Sequence, residues 1–239
     1  MELPPLTIGI CTYKRPWYAM LTIAALIQLG YAGQKKFHIA DGGSPQEDID
    51  YYKMMTKDFE TTVEVTDNLS DMVNSCARFG GDLWLTVLDD FMPIKNFDIT
   101  PDARFLLSRP EIGSIRFGRL AFWGNGSQDV EVRADLVPYG GLHWWRIDKE
   151  KSAPHYMSTI GFHMYHRRFW DAYGDIPSCA PKIPGQAELL GNERFIQKSG
   201  PTIAVPMRFG QDCGEWKEPI WHMGCWRTDD YKDTAGSRL

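Results

Sequence analysis

Cysteine is scarce and unpatterned: Cys11, Cys76, Cys179, Cys213 and Cys225 make an odd set of 5 with no Cys-x-x-Cys pair. That spacing gives no zinc knuckle and no disulfide framework, so reduced thiols in a cytoplasmic setting are expected. Long hydrophobic runs are missing too. The apolar stretch from Trp17 to Leu29 is too short to cross a bilayer, and the opening Met-Glu-Leu-Pro-Pro carries no basic leader. Neither membrane insertion nor a signal peptide is therefore expected. Positive charge is not in excess: 26 Lys and Arg stand against 31 Asp and Glu, a net charge of −5. This argues against a general nucleic-acid or anionic-membrane surface and leaves room for a local basic site. Two common phosphate cradles are absent as well, since no Gly-x-x-x-x-Gly-Lys-Ser/Thr loop occurs and no Gly-x-Gly-x-x-Gly follows the first apolar run. No repeat, linker or low-complexity segment breaks the chain, so one compact unit is the simplest expectation.

What is present is an ordinary globular composition, 239 residues with 43% hydrophobic and 24% charged side chains, enough for one large α/β core. Aromatic residues are plentiful, and their faces suit sugars or bases, although most will be core. Residues 6–12 read as a first strand, and Pro16 opens a helix that runs toward Gly30. A second strand over 36–40 closes on Asp41-Gly42-Gly43-Ser44-Pro45, a turn with a helix start behind it. A helix over 46–57, a strand over 61–66 and a helix over 70–80, with Ser70 as its cap, follow. This alternation predicts a right-handed, mostly parallel, doubly wound sheet. Beyond Asp90 the rhythm changes. Residues 112–120, 129–137 and 142–148 read as an antiparallel patch added to that sheet, 167–173 and 186–199 as helices, and 202–205 as a short last strand. The remainder, from Met207, reads as an aperiodic wrap.

The chemistry concentrates at Trp84-Leu85-Thr86-Val87-Leu88-Asp89-Asp90. An apolar, β-rich run ends in adjacent carboxylates, and ligands of open α/β sheets bind beyond the carboxyl ends of strands. Two neighbouring acids repel unless a cation or an opposing base compensates, and carboxylate oxygens suit Mg²⁺ or Mn²⁺. Asp41 ends the second strand and so shares that edge; its competing role is a turn residue before Gly42-Gly43.

Five stretches resemble GT-A glycosyltransferases of the family 2 type. Thr12-Tyr13-Lys14-Arg15-Pro16 is similar to their "TYNRP", and Ile39 through Ser44 to their "VDDGS". Asn68 through Asp90 is similar to the segment ending "LDDD". Ile160 through Asp175 resembles the acceptor-side block, and Leu190 through Phe195, with Gly200, resembles "GEDxDF…G". The resemblance implies a GT-A fold divided into a nucleotide-sugar half (1–91), an acceptor half (92–206) and a tail (207–239). It implies a metal-dependent, inverting transferase using a nucleotide-diphosphate sugar, UDP-sugar favoured, and a hydroxyl acceptor such as a glycan. Thr12, Tyr13 and Arg15 would border the base, Asp41 would bond it, Asn74 would reach the nucleotide, and Asp89 would meet the ribose. Asp90, with His222 from Trp221-His222-Met223, would hold Mn²⁺ or Mg²⁺. Glu193 would be the general base, its competing role being an exposed helical acid beside Arg194. Phe91 departs from the family's third acid. Two other readings stay open: hydroxymethylated bases of viral DNA as acceptor, and a GT-A-like module that binds nucleotide or glycan without catalysis. The pair His163 and His166 has no further ligand at zinc spacing, so core packing or acceptor contact is expected. The donor sugar and oligomeric state are not legible.

Overall fold

The structure, a computed structural model, describes residues 2–93, 97–117, 134–149, 161–178, 186–207 and 220–222. Its first half follows the expected alternation: β1 (Leu6–Thr12), α1 (Pro16–Ile27), β2 (Lys35–Asp41), α2 (Gln46–Met55), β3 (Thr61–Val65), α3 (Leu69–Phe79) and β4 (Leu83–Leu88). Then come β5 (Phe91–Pro93), α4 (Thr100–Ser108), β6 (Ile112–Arg116), β7 (Ala134–Tyr139), β8 (Leu142–Ile147) and β9 (Phe162–His166). The chain continues through α5 (Arg167–Tyr173), α6 (Gln186–Gln197), β10 (Thr202–Pro206) and β11 (Ile220–His222).

The main sheet has nine strands in the order β3-β2-β1-β4-β9-β6-β10-β8-β7. Only β8 and β9 run against the rest, as the pairings of β9 with β4 and β6, and of β8 with β10 and β7, establish. The sheet is therefore mostly parallel in direction, with helices on both faces. Every residue of β1 is buried, and alternate side chains feed different layers. Leu6, Ile8 and Ile10 join Phe37, Tyr52, Leu85, Val87, Phe105 and Trp144 under α1, α2 and α4. Cys11 joins Val73, Cys76, Trp84, Tyr165, Phe169 and Phe195 under α3, α5 and α6. Between them Gly9 lets α3 approach, since a Cβ there would lie 2.6 Å from the Cys76 sulfur.

Several features differ from the sequence expectation, among them the unexpected strands β5 and β9. Asn68, not Ser70, caps α3, its side chain accepting from the Asp71 N–H at 3.0 Å. The run beginning at Ile112 lies inside the sheet, parallel to β10, and the antiparallel addition at the edge is the β7–β8 hairpin. The expected strand portions at 118–120 and 129–133 lie outside the described residues. Helix α4 was not anticipated; its buried Asp102 accepts from the Trp144 indole at 2.9 Å. Finally, β11 adds to β5 in a separate two-stranded ribbon, where an irregular wrap was expected.

No described helix is long and apolar enough to cross a membrane. Cys11 and Cys76 are free and buried, with sulfurs 3.8 Å apart. Their mutual hydrogen bond, then burial, holds the Cys11 thiol well above its usual range. The other three cysteines lie outside the described residues.

Candidate functional site

The parallel register brings the carboxyl ends of β1, β2 and β4 to one edge. Cys11 stands beside Leu88 and Thr12 beside Asp41, and the Asp89 N–H extends the ladder to the Cys11 carbonyl at 2.9 Å. Asp41, Thr12, Tyr13, Asp89 and Asp90 are thus neighbours, as the strand-end argument predicted. Asp41 and Asp89 flank the β1 terminus from its two sides.

Each acid is held by a different device. Asp41 is fully buried; one carboxylate oxygen accepts from the N–H groups of Gly43 (2.8 Å) and Ser44 (2.6 Å), the other from the Ser44 hydroxyl (2.7 Å). Both its structural role in the turn and its position at the site edge are therefore real. The Ser44 hydroxyl also accepts from the Lys14 N–H at 3.0 Å, which ties the β1–α1 loop to the β2–α2 loop. Lys14 has φ of 49°, a left-handed conformation that a lysine adopts at a cost and that this tie sustains. Tyr13 lies over Gly42, where a Cβ would come within 2.5 Å of its ring, and the residue stays 38% exposed.

Asp89 and Asp90 are both buried. Arg15 bridges them: one guanidinium nitrogen pairs with Asp89 and the other donates to Asp90 at 3.1 Å. The Tyr13 N–H donates to the second Asp89 oxygen at 3.2 Å, and the Thr22 hydroxyl to the Asp89 carbonyl at 2.7 Å. Burial pushes the Asp89 carboxyl up to about 7, with Arg15 opposing that rise and Asp90 adding to it. Arg15, which the family resemblance set at the border of the base, is here the opposing base for the acid pair.

The remaining predicted residues fall into separate groups. Asn74 is buried in α3, and its carboxamide is tied to the Ile176 backbone, donating to the carbonyl and accepting from the N–H, both at 2.8 Å. That double tie makes it a strut between α3 and the segment after α5. In β11, His222 stands in register with Phe91, the residue after Asp90, so the ribbon carries the backbone of this candidate ligand to the acid pair. Glu193 is exposed on α6 and makes no hydrogen bond or ion pair among the described residues, with the acids or otherwise. His163 is fully buried, and burial, then Arg116, keeps its imidazole well below its usual range. The His166 ring nitrogen instead accepts from the Arg168 N–H at 3.1 Å as the cap of α5. Neither belongs to a metal cluster, and the described residues hold no group of three or more His, Cys, Asp or Glu arranged for one.

Three side chains at this edge escaped sequence reasoning. Thr22 fixes the Asp89 carbonyl from α1. Tyr52 buries its hydroxyl where Thr12, Asp41 and Asp89 act on it, and burial raises it to about 12. Arg116 ends β6, buried and level with His163. An arginine closing a buried strand is the one signal that would have singled out the last. A cavity of about 370 Å³ opens at the other end of the strands, lined by Pro4, Thr7, Lys36, Phe79 and Asp82, and it contains none of the predicted site residues.

No family model matches the chain, and no curated protein matches it by sequence. Solved structures do. PcManGT, a mannosyltransferase from Pyrobaculum calidifontis in complex with GDP-Man and Mn²⁺, superposes with TM-score 0.54 at 8% identity over 89% of this chain and 59% of its own. TarS 1-349 from S. aureus, in complex with UDP-GlcNAc, gives 0.56 at 11% identity over 98% and 64%. The fold is that of the GT-A nucleotide-sugar transferases. Against both of these GT-A structures the present chain spans less than two thirds of the other's length. CMP:2-keto-3-deoxy-manno-octonic acid synthetase, complexed with CTP, also superposes, with TM-score 0.51 at 16% identity over 84% of this chain and 89% of its own. A GT-A frame therefore serves more than one reaction, which has to be argued from the side chains.

Proposed function

We propose that this protein is a glycosyltransferase that takes a sugar from a nucleotide-diphosphate donor, UDP-sugar favoured, to a hydroxyl acceptor with inversion and with help from a divalent cation. The observation that carries the reading is the buried Asp89–Asp90 pair at the carboxyl end of β4 on a GT-A frame, bracketed by Asp41 and Tyr13 on one side. Tyr13 offers its exposed ring to the base, and Asp41 keeps acceptor capacity beside it, since a carboxylate has about four lone-pair sites and the turn takes three. Thr12 borders the base and Asp89 the ribose. Asn74, tied to Ile176, serves by holding α3 in place.

The donor set suits a hard cation: two adjacent carboxylates, with the His222 backbone paired beside them. Asp90 and His222 would hold it, and bound Mg²⁺ or Mn²⁺ would neutralise the charge that develops on the departing diphosphate. Arg15 engages Asp89 and one Asp90 oxygen, so it would yield the latter to a cation held there and could then pair with a phosphate. Glu193 takes the proton of the acceptor hydroxyl as the sugar–phosphate bond breaks, a role suited to an exposed carboxylate that no described group engages.

Phe91, standing where the family has a third acid, and the Arg15 bridge favour a second reading, a nucleotide- or glycan-binding module without turnover. The test is release of nucleoside diphosphate from a panel of UDP- and GDP-sugars with and without Mn²⁺. Release that needs Mn²⁺ and disappears in Asp90→Ala supports the transferase. Donor binding without release in any condition supports the module.

A further inference from the structure

The cavity of about 370 Å³ lies where β1, β2, β3 and β4 begin and α3 ends, and its volume falls within the range of small-ligand sites. The seven residues of β1 separate it from the acids by about 20 Å. One wall is Phe79, which closes α3 and is 47% exposed. Its ring stacks on His38, with centroids 4.3 Å apart and planes 13° from parallel. His38 is itself immobilised, since Thr62 meets Nδ1 at 2.8 Å and Ser75 meets Nε2 at 2.6 Å. Ser75 donates to Glu64, and Arg78 grips both Glu64 oxygens, at 3.0 and 2.8 Å. A surface aromatic ring is thus presented at a fixed angle.

The same bonds decide what Thr62 offers. Ser75 spends its one proton on Glu64, so it accepts from the His38 Nε2–H. Burial lowers His38 to about 4 and so keeps it neutral, which leaves Nδ1 to accept the Thr62 proton. The exposed Thr62 oxygen therefore turns lone pairs to the cavity. Beside it stand the exposed Asp82 carboxylate, which makes no hydrogen bond or ion pair among the described residues, and Lys36, paired with Glu60 at 2.7 Å. An ammonium has three protons, so Lys36 keeps donors to spare. An anion would meet Asp82 and Glu60 here, and an organic cation would face Lys36. A wholly apolar ligand would strip water from all three charges and replace none of it. A ring with one apolar face and a rim of hydroxyls meets every requirement.

We propose that this cavity is a carbohydrate-binding site separate from the acid edge. It takes a neutral pyranose unit of a glycan, apolar face on Phe79 and hydroxyls on Asp82, Thr62 and Lys36. The site goes beyond the transferase reading, because it stands at the far end of the strands and binds whatever the acids do. Phe79 and Thr62 are set before the ligand arrives, which lowers the ordering cost of binding.

The test is titration calorimetry of the full chain with maltotetraose, cellotetraose and chitotetraose, with choline and inorganic phosphate as controls. At least one saccharide is expected to bind, and neither control. Phe79→Ala and Asp82→Ala each weaken that saccharide about tenfold, whereas Phe79→Trp keeps its affinity within about twofold of wild type. Asp82→Ala breaks no described bond and Phe79→Trp keeps the platform, so these two decide the matter even where Phe79→Ala melts early. No binding of any saccharide, equal affinity in wild type and Asp82→Ala, loss of binding in Phe79→Trp, or binding of choline in place of saccharide would each overturn the proposal. Neither nucleotide nor metal is present, so the result is read independently of the transferase test.

Discussion

The acids at the ends of β2 and β4 and the acid on α6 are held in different ways. On the β1–β4 side the buried carboxylates and amides are bonded into place: Asp41 in its turn, Asp89 under Arg15 and Tyr13, Asn68 at its cap, and Asn74 on Ile176. His38 is held from both ring nitrogens, by Thr62 at 2.8 Å and Ser75 at 2.6 Å. On the α6 side, Glu193 and Arg194 have no such partners among the described residues. The contrast teaches where each half obtains its precision. One is fixed by internal bonds; the other leaves Glu193 exposed on α6.

Disabling each half in turn gives the largest effects. Asp90→Ala is expected to lower nucleoside diphosphate release by about 10³-fold, because it removes the carboxylate proposed to hold the cation. Glu193→Gln should cost about 10²–10⁴-fold in transfer and leave donor affinity within about twofold, since it touches only proton removal. Coupled release assays and donor titration by calorimetry check both. If Glu193→Gln weakens donor binding as much as it slows transfer, the division between halves fails.

Acid should loosen the pre-set half. Burial lowers His38 from 6.5 to about 4, with Glu64 opposing that fall and Arg78 reinforcing it. The unfolded chain therefore binds more protons between those values, so this contribution is complete above pH 6.5 and is lost as pH falls through 4. The loss is on the order of 3 kcal/mol. Urea unfolding of wild type against His38→Gln from pH 7 to pH 4 reads it, because the difference isolates His38 from Asp89, whose raised pKa acts in the opposite direction. A pH-independent difference would show that the imidazole is not held neutral. Gly9→Ala should cost about 1–3 kcal/mol in the same assay, since its Cβ would lie 2.6 Å from the Cys76 sulfur. The smallest effect concerns Arg15. Arg15→Gln is expected to bind Mn²⁺ about tenfold more tightly without nucleotide, by removing a competing charge from Asp89 and Asp90. Electron paramagnetic resonance of Mn²⁺ measures this directly.

The same division governs what could be read from the chain. The strands of the first half are continuous apolar runs ending in turn residues, so their existence, and the meeting of Asp41 with Asp89 and Asp90, followed from local pattern and the strand-end rule. What was not legible depends on distant pairing. Residues 162–166 carry two histidines and look like chemistry, yet they form the antiparallel strand that separates β4 from β6. Three residues at 220–222 are too few for periodicity to show. Arg15 stood in a recognisable motif, but its bridge joins side chains 74 and 75 residues away. Asn74 looked available because a helix pattern cannot reveal that the loop after α5 returns to it.

The β5–β11 ribbon stands outside the nine-stranded sheet and has its own ladder beside the acids. Deleting 220–222 would strip backbone partners from Phe91, Met92 and Pro93 without breaking a single rung of the main sheet. Such a deletion should melt almost normally while the strand after Asp90 slackens, so the integrity of the fold and the setting of the acid pair can be lost one without the other.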